Sequence, residues 1–360
     1  MMVIRPICQD DLSALYRLAE KTGIGFTSLV SDETRLQKKI NRVVDSFNKE
    51  NVTAPHSEDY LMVLEDSTTG DIVGTCGILA TVGLDEPFYS YHLGTITHAS
   101  RELGVHNAVP TLILNNDFTG FSEICTLFLE EEYRHSKNGQ LLSKARFMFM
   151  AQFPERFTEK VFAEMRGVSD EQGVSPFWES LGRHFFSIDF KEADELTSQG
   201  NKQFIAELMP NNPVYVNLLP QAAREVLGKV HRNTQPAKRL LEQEGFRYEN
   251  YVDIFDGGPS LEARVQDIRA VRDSRIYLAN IEPADTLNAS DSTHKKSTQT
   301  DAIKEGRHYL VSNTKVADFR CILIQRSAPI GSHITLTQEE AECLHIIHKE
   351  PVRVVELSPY

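Results

Sequence analysis

The run from Cys125 to Phe147, CTLFLEEEYRHSKNGQLLSKARF, constrains the chain more than any other stretch. Ile124 to Leu129 is a near-continuous apolar strand, the kind found at the centre of a sheet covered on both faces. A polar elbow with one glycine follows, and then a helix from Gly139 to about Phe153. A strand that turns directly into a helix leaves the first helical N–H groups without intrahelical partners, at the positive end of the dipole. A pyrophosphate docks at such a turn, and glycine permits close approach. The same residues also read as an ordinary strand-to-helix connection, because one glycine is not a full phosphate fingerprint. On either reading the chain is an α/β protein.

Its flanks follow the same grammar. Residues 2–22 read as a strand, MVIRP, then a helix in which Leu12, Leu15, Leu18 and Ala19 recur at helical spacing behind Asp10 and Asp11. A turn over 23–32 leads to a helix from Glu33 to Phe47. Residues 60–83 form a hairpin about a polar segment with Gly70, and 86–120 extend the sheet as an insertion. VFAEMRG is a further buried strand, and SPFWESLGRHFF a short helix ending at Leu181 and Gly182, the glycine serving as a left-handed cap. Helices are predicted over 218–229 and 234–244, the latter stopping at Gly245, with FRYENYVDIFD as a strand. The polar stretch 282–306 reads as a surface loop. HYLVSN, FRCILIQ and VRVVEL are strands, and TQEEAECLHIIHKE is one helix.

The 360 residues give room for about two domains. The predicted division is 1–190, holding the phosphate-docking turn, and 191–360, a second lobe with a β-rich C-terminal region. Acidic side chains outnumber basic ones by 51 to 38, and the resulting charge of −13 argues against a nucleic-acid partner. Cys8, Cys76, Cys125, Cys321 and Cys343 are odd in number and form no C-x-x-C pair, so free thiols in a reducing cytoplasm are expected. MMVIRPICQDD meets an acidic pair before any apolar signal core, and no run of about 18 apolar residues exists to span a membrane. Cys343, His345 and His348 approach metal-ligand spacing, but only the two histidines share a helix face, so no metal site is expected. Gly257-Gly258-Pro259 reads as plain turn chemistry.

YRHSKNGQLL resembles the acyl-CoA pyrophosphate loop of the GNAT acyltransferase superfamily: Arg or Gln, two variable residues, Gly, one variable residue, then Gly or Ala. Arg134 and Gly139 take the first and last positions. Lys137 stands where the first glycine belongs, which predicts a different local backbone, although a lysine still suits phosphate. SPFWESLG resembles the superfamily's helix beside the CoA arm. A wider resemblance, to the arginine N-succinyltransferase family, is carried by FTSLVSD, SEICTLFL, NGQLLSKARFMFMAQFPERF, SPFWESLGRHFF, GKVHRNTQPAKRLLEQEGF and YVDIFDGGPSLEA. It implies a GNAT-like mixed α/β sheet with a second lobe. NTQPAKRLLEQEGF, similar to a superfamily helix, lets that lobe be read as a diverged copy. The implied reaction moves succinyl from succinyl-CoA to the α-amine of L-arginine, giving N2-succinylarginine and CoA in arginine catabolism. Succinyl-CoA is then a substrate, no cofactor is permanently bound, and the partners are small molecules, with a homo-oligomer compatible. His231 matches the family's proton donor and Leu127 its succinyl-CoA contact.

Elementary chemistry gives those residues work. The acceptor amine is mostly ammonium near neutral pH and the thiolate leaving group benefits from a proton, so a histidine titrates in the useful range. Read without the resemblance, His231 is one of twelve histidines and equally a loop residue. On the strand that the resemblance assigns to Leu127, backbone N–H and C=O groups pair with the pantetheine arm and an N–H meets the thioester oxyanion, so Leu127 is expected to contribute through its backbone while its side chain belongs to the core. Cys125, inside an apolar run, is expected to be an inert thiol. Two rivals keep the same loop. One is another acyl donor or amine acceptor, such as acetyl-CoA or ornithine; the other is a catalytically silent acyl-CoA-binding regulator.

Overall fold

A computed structural model describes residues 1–22, 28–190, 192–193, 196, 203–282 and 306–357. Residues 23–27 of the expected turn and 283–305 of the expected polar loop lie outside them. Strands β1 (Met2–Pro6), β2 (Asp59–Asp66) and β3 (Ile72–Leu79) enclose helices α1 (Leu12–Thr22) and α2 (Glu33–Asn48) in the expected order. Next come β4 (Ser90–Ser100), β5 (Val105–Asn115), β6 (Ser122–Leu129), α3 (Asn138–Gln152), β7 (Lys160–Glu164), α4 (Pro176–Ser180) and α5 (Gly182–Phe186). The later chain supplies α6 (Gln203–Leu208), β8 (Val214–Tyr215), α7 (Gln221–Val226), α8 (Gln235–Glu244), β9 (Arg247–Val252) and β10 (Pro259–Arg264). It ends with α9 (Arg269–Asp273), β11 (Arg275–Glu282), β12 (Arg307–Ser312), β13 (Cys321–Arg326), β14 (His333–Thr337), α10 (Gln338–Cys343) and β15 (Pro351–Glu356). No helix among the described residues is long and apolar enough to cross a membrane.

All these strands join one mixed sheet, in the order β14-β11-β15-β12-β13-β1-β2-β3-β6-β7-β10-β9-β4-β5-β8. The mixed α/β reading of the sequence therefore holds. The β4–β5 hairpin extends the sheet as expected, but it attaches through β9 (Tyr91 opposite Val252) rather than through its sequence neighbours. Helix α3 is buried along nearly its whole length, whereas α1 and α2 each pack on the sheet through an apolar stripe at helical spacing. On α2 this is Leu36, Ile40, Val43 and Phe47, begun by Asp32, whose carboxylate accepts the Arg35 N–H at 2.9 Å. Phe47, Tyr60, Phe149 and Phe157 form the centre of that core, with ring centroids 5.1 to 5.8 Å apart. Burying each ring stabilises the fold by about 1.5–3 kcal/mol.

Two irregularities set β6 apart from its neighbours. Against β3 its register shifts, Gly77 facing Cys125 but Thr75 facing Phe128, so that Thr126 and Leu127 together oppose Cys76. Thr126 takes φ 52°, and the Thr75 hydroxyl donates to its carbonyl at 2.9 Å. Holding a threonine in the left-handed region costs about 1–3 kcal/mol. Against β7 the parallel pairing covers only Ser122–Val161 and Glu123–Phe162, after which the strands diverge. Accordingly β6 alternates between buried and partly exposed residues instead of being covered on both faces.

Three local expectations are corrected. Gly182 is no left-handed cap: it opens α5, and an added Cβ would lie 2.2 Å from Cε3 of the fully buried Trp178, so close packing is what requires glycine there. The helix expected over 218–229 shortens to α7, because Leu227 takes an extended ψ of 124° and Gly228 turns left-handed. The helix expected through Glu350 stops at Cys343, since His345 at φ 52° closes it, with Ile346 N–H bonded back to Ala341 O at 3.0 Å. His345 and His348 thus stand beyond the helix. The former bonds Asp318 at 2.9 Å and the latter accepts the Ile281 N–H at 3.2 Å. Gly245, at φ 104°, ends α8 where expected.

Candidate active site

Where β6 and β7 part, a cavity of about 1570 Å³ opens. Pockets for drug-sized ligands run to about 1,000 Å³, so this one has room for a long donor and a second substrate. Glu123 to Leu129 form one wall, and Ala163 to Arg166, the end of β7, form the opposite wall. Leu127, Arg134 and Gly139 are brought together on this cavity. Among the described residues no three of His, Cys, Asp and Glu gather as metal ligands.

The strand-to-helix turn forms one end. Arg134 donates from Nε to Leu129 O at 3.0 Å, which draws the elbow back onto the strand. Lys137, the residue before α3, takes φ 65° and ψ 14°, the left-handed conformation that a glycine adopts without strain. A lysine here therefore does not prevent the turn. An added Cβ at Gly139 would meet only Leu129 Cδ2, at 3.9 Å, so that face of the helix start is open.

His231 stands beside the cavity rather than in its wall. Arg166 on one side and Asn233 and Thr234 on the other do line it. A Gly167–Val230 bridge and a bond from His231 N–H to Arg166 O, 2.8 Å, fix the histidine to the end of β7. Its Nδ1 accepts the Asn233 N–H at 3.2 Å, which leaves the ring proton of the neutral form on Nε2. Desolvation first, then the charges of Arg166 and Arg232, lower its pKa, so the ring is neutral at pH 7. Burial pushes the Cys125 thiol up to about 12, which removes it as a thiolate nucleophile.

Sequence reading missed the carboxylates of the wall, Glu123, Glu164, Asp253 and Asp256, and the buried Arg146. Arg146 was findable, at seven residues after Gly139 on one helix face. The Gly257-Gly258 turn packs against the segment after β7, where a Cβ on Gly258 would lie 2.1 Å from Met165 O. Asp256 pins that turn by accepting the Gly167 and Gly258 N–H groups at 2.6 and 2.8 Å. Burial, and then the charge of Asp253, hold its carboxyl well above the usual carboxylate range. A raised folded pKa gives stability that is complete below the unfolded value of about 3.9 and is lost as pH rises through the folded one. Urea melts across that window should show this fall, and Asp256→Asn should flatten it. An unchanged slope in the variant would assign the titration elsewhere.

The sequence model of the arginine N-succinyltransferase beta subunit matches residues 2–270, and that of its C-terminal domain matches 294–356. The chain is 49% identical over its full length to the arginine N-succinyltransferase of Enterobacter sp. (strain 638), covering 98% of that protein. With the enzyme of the same name from Escherichia coli O17:K52:H18 it shares 48% identity, over 99% of this chain and 98% of that one. Among solved structures it matches arginine/ornithine succinyltransferase subunit AI from Pseudomonas aeruginosa with a TM-score of 0.85 and 38% identity, over 99% and 98% of the two chains. A likeness this extensive in both sequence and fold makes the chain a member of the arginine N-succinyltransferase family.

Proposed function

We infer that the protein transfers the succinyl group of succinyl-CoA to the α-amine of L-arginine. The observation that carries this reading is the opening between β6 and β7, bulged at Thr126–Leu127 and continuous with the Arg134–Gly139 turn. The pyrophosphate rests on the first amides of α3, with Lys137 and the outer nitrogens of Arg134 beside it. The pantetheine arm lies along β6 as an added strand, and backbone N–H at Leu127 meets the thioester oxygen. The free amine attacks the carbonyl carbon, the C–N bond forms and the C–S bond breaks. The ammonium gives up two protons in all, one to solvent and one to the departing thiolate. His231 supplies a hydrogen bond from Nε2 to that sulfur. Glu123, Glu164 and Asp253 offer carboxylates for the guanidinium. Five free cysteines and an acyl-CoA donor fit a reducing cytoplasm.

Thiol release with succinyl-CoA and arginine, ornithine or lysine tests the assignment, with acetyl-CoA as the competing donor. Arginine should be the best acceptor, because a carboxylate reads a planar guanidinium bidentately. Ornithine turnover at the same efficiency would favour the second acceptor in the Pseudomonas protein's name. CoA should also raise the melting temperature. Gly139→Leu should weaken CoA on the order of 10-fold by filling the phosphate approach while leaving the unliganded melt in place. A CoA shift without turnover of any amine would leave a silent binding module.

A further inference from the structure

Helix α3 presents Gly139, Leu142 and Arg146 to the cavity at i, i+3 and i+7. Arg146 is only 2% exposed, and among the described residues its hydrogen-bonded partner is Ser143, through the carbonyl at 3.0 Å and the hydroxyl at 3.0 Å. Among the described residues, the titratable groups that influence it are Cys76 and Cys125, neither of them a carboxylate. Two other cations that line the cavity are matched: Lys39 by Asp59 at 3.0 Å and Lys21 by Glu130 at 2.8 Å. A buried guanidinium without a counter-charge is costly unless an anion comes to it.

Its depth says which anion. Seven residues along α3 carry it about 10 Å from Gly139. The backbone of β6 covers about 13 Å between Leu129 and Cys125. Arg146 therefore starts level with the Thr126–Leu127 bulge, and its guanidinium is near enough to interact with Cys125, the next residue along β6 as seen from the phosphate turn. A donor with its pyrophosphate at that turn and its thioester at the bulge places the far end of a four-carbon acyl chain there.

We propose that Arg146 sets donor specificity, the guanidinium edge not used by Ser143 taking the terminal carboxylate of the succinyl group. The assignment rests on the succinyl-transfer reading above. Butyryl-CoA, which carries a methyl where succinyl-CoA carries the carboxylate, is the probe. Succinyl-CoA should raise the melting temperature of the wild-type protein further than butyryl-CoA, and Arg146→Met should abolish the difference. In kcat/KM the preference for succinyl over butyryl should fall by about 10²-fold. The unliganded variant should melt no lower, since an apolar side chain of similar length replaces an unpaired buried charge. Arg146→Lys covers failure of the methionine variant to fold: a single ammonium cannot serve Ser143 and a carboxylate together, so the preference should fall about 10-fold. A preference that survives in either folded variant overturns the proposal. So does a wild-type protein that uses both donors equally, which would leave acyl transfer intact, whereas no turnover from any acyl-CoA would overturn the functional reading as well.

Discussion

Glu244→Ala is expected to remove about 3–5 kcal/mol of folding stability, the cost of leaving a buried charge without its partner. Lys144 on α3 and Glu244 on α8 have fully buried side chains 2.9 Å apart. Arg269 bonds the same carboxylate at 2.8 Å, and the Ala270 N–H donates to its second oxygen at 2.7 Å. One carboxylate thus fastens the helix that carries Gly139 to the segment that comes after His231. Desolvation lowers the Lys144 pKa, and Glu244 is the group that opposes the fall. Without Glu244 the folded pKa drops further below the unfolded value of about 10.4, and the unfolded state binds the extra proton between the two. Stability of the variant should therefore rise as pH increases through that window. Urea unfolding at several pH values measures both effects. Lys144→Met combined with Glu244→Leu should lose less than Glu244→Ala alone, because no buried charge is then stranded. A loss below about 1 kcal/mol in the single variant would mean that water enters and rescues the lysine.

The elements with strong periodicity were legible before any coordinates: α2 from Glu33, α8 with its glycine stop, and the apolar run of β6. Each of those signals is local. The β6 bulge was not legible, because its cause is a register shift against β3, fifty residues away in sequence and forced by tertiary pairing. Gly182 misled for the same reason: a cap and a close contact both require glycine, and only the Trp178 ring distinguishes them. His345 misled because leucine and isoleucine on either side continue a helical pattern while their burial pulls the chain back on itself. At the cavity, Gly139 was marked by the strand-to-helix turn and Arg134 by the resemblance of the loop to the GNAT pattern. The wall carboxylates arrive from separate strands, and no sequence spacing joins Glu123 to Asp253.

Replacing His231 tests the chemistry where the histidine's two jobs separate. The first job is structural: its Nδ1 accepts the Asn233 N–H and closes the short turn before α8. Loss of such a cap costs about 1 kcal/mol. The second is the Nε2 hydrogen bond to the leaving sulfur, and a positioned acid–base group contributes about 10² to 10⁴ in rate. His231→Asn keeps an acceptor suited to the cap and removes the imidazole, so it should melt with the wild type while kcat falls by about 10² to 10⁴. A raised KM or a lowered melting temperature with kcat preserved would reduce the residue to its structural job. The lowered pKa adds a constraint on pH: the ring titrates on the acid side of pH 7, where protonation opposes the Asn233 N–H at Nδ1 but leaves the Nε2 donor in place. The leaving group then decides between roles. An aryl thioester of succinate expels a more acidic thiol that needs less help, so the variant's defect should shrink with that donor. A defect as large as with succinyl-CoA would assign His231 to the amine's proton or to positioning, and not to the sulfur.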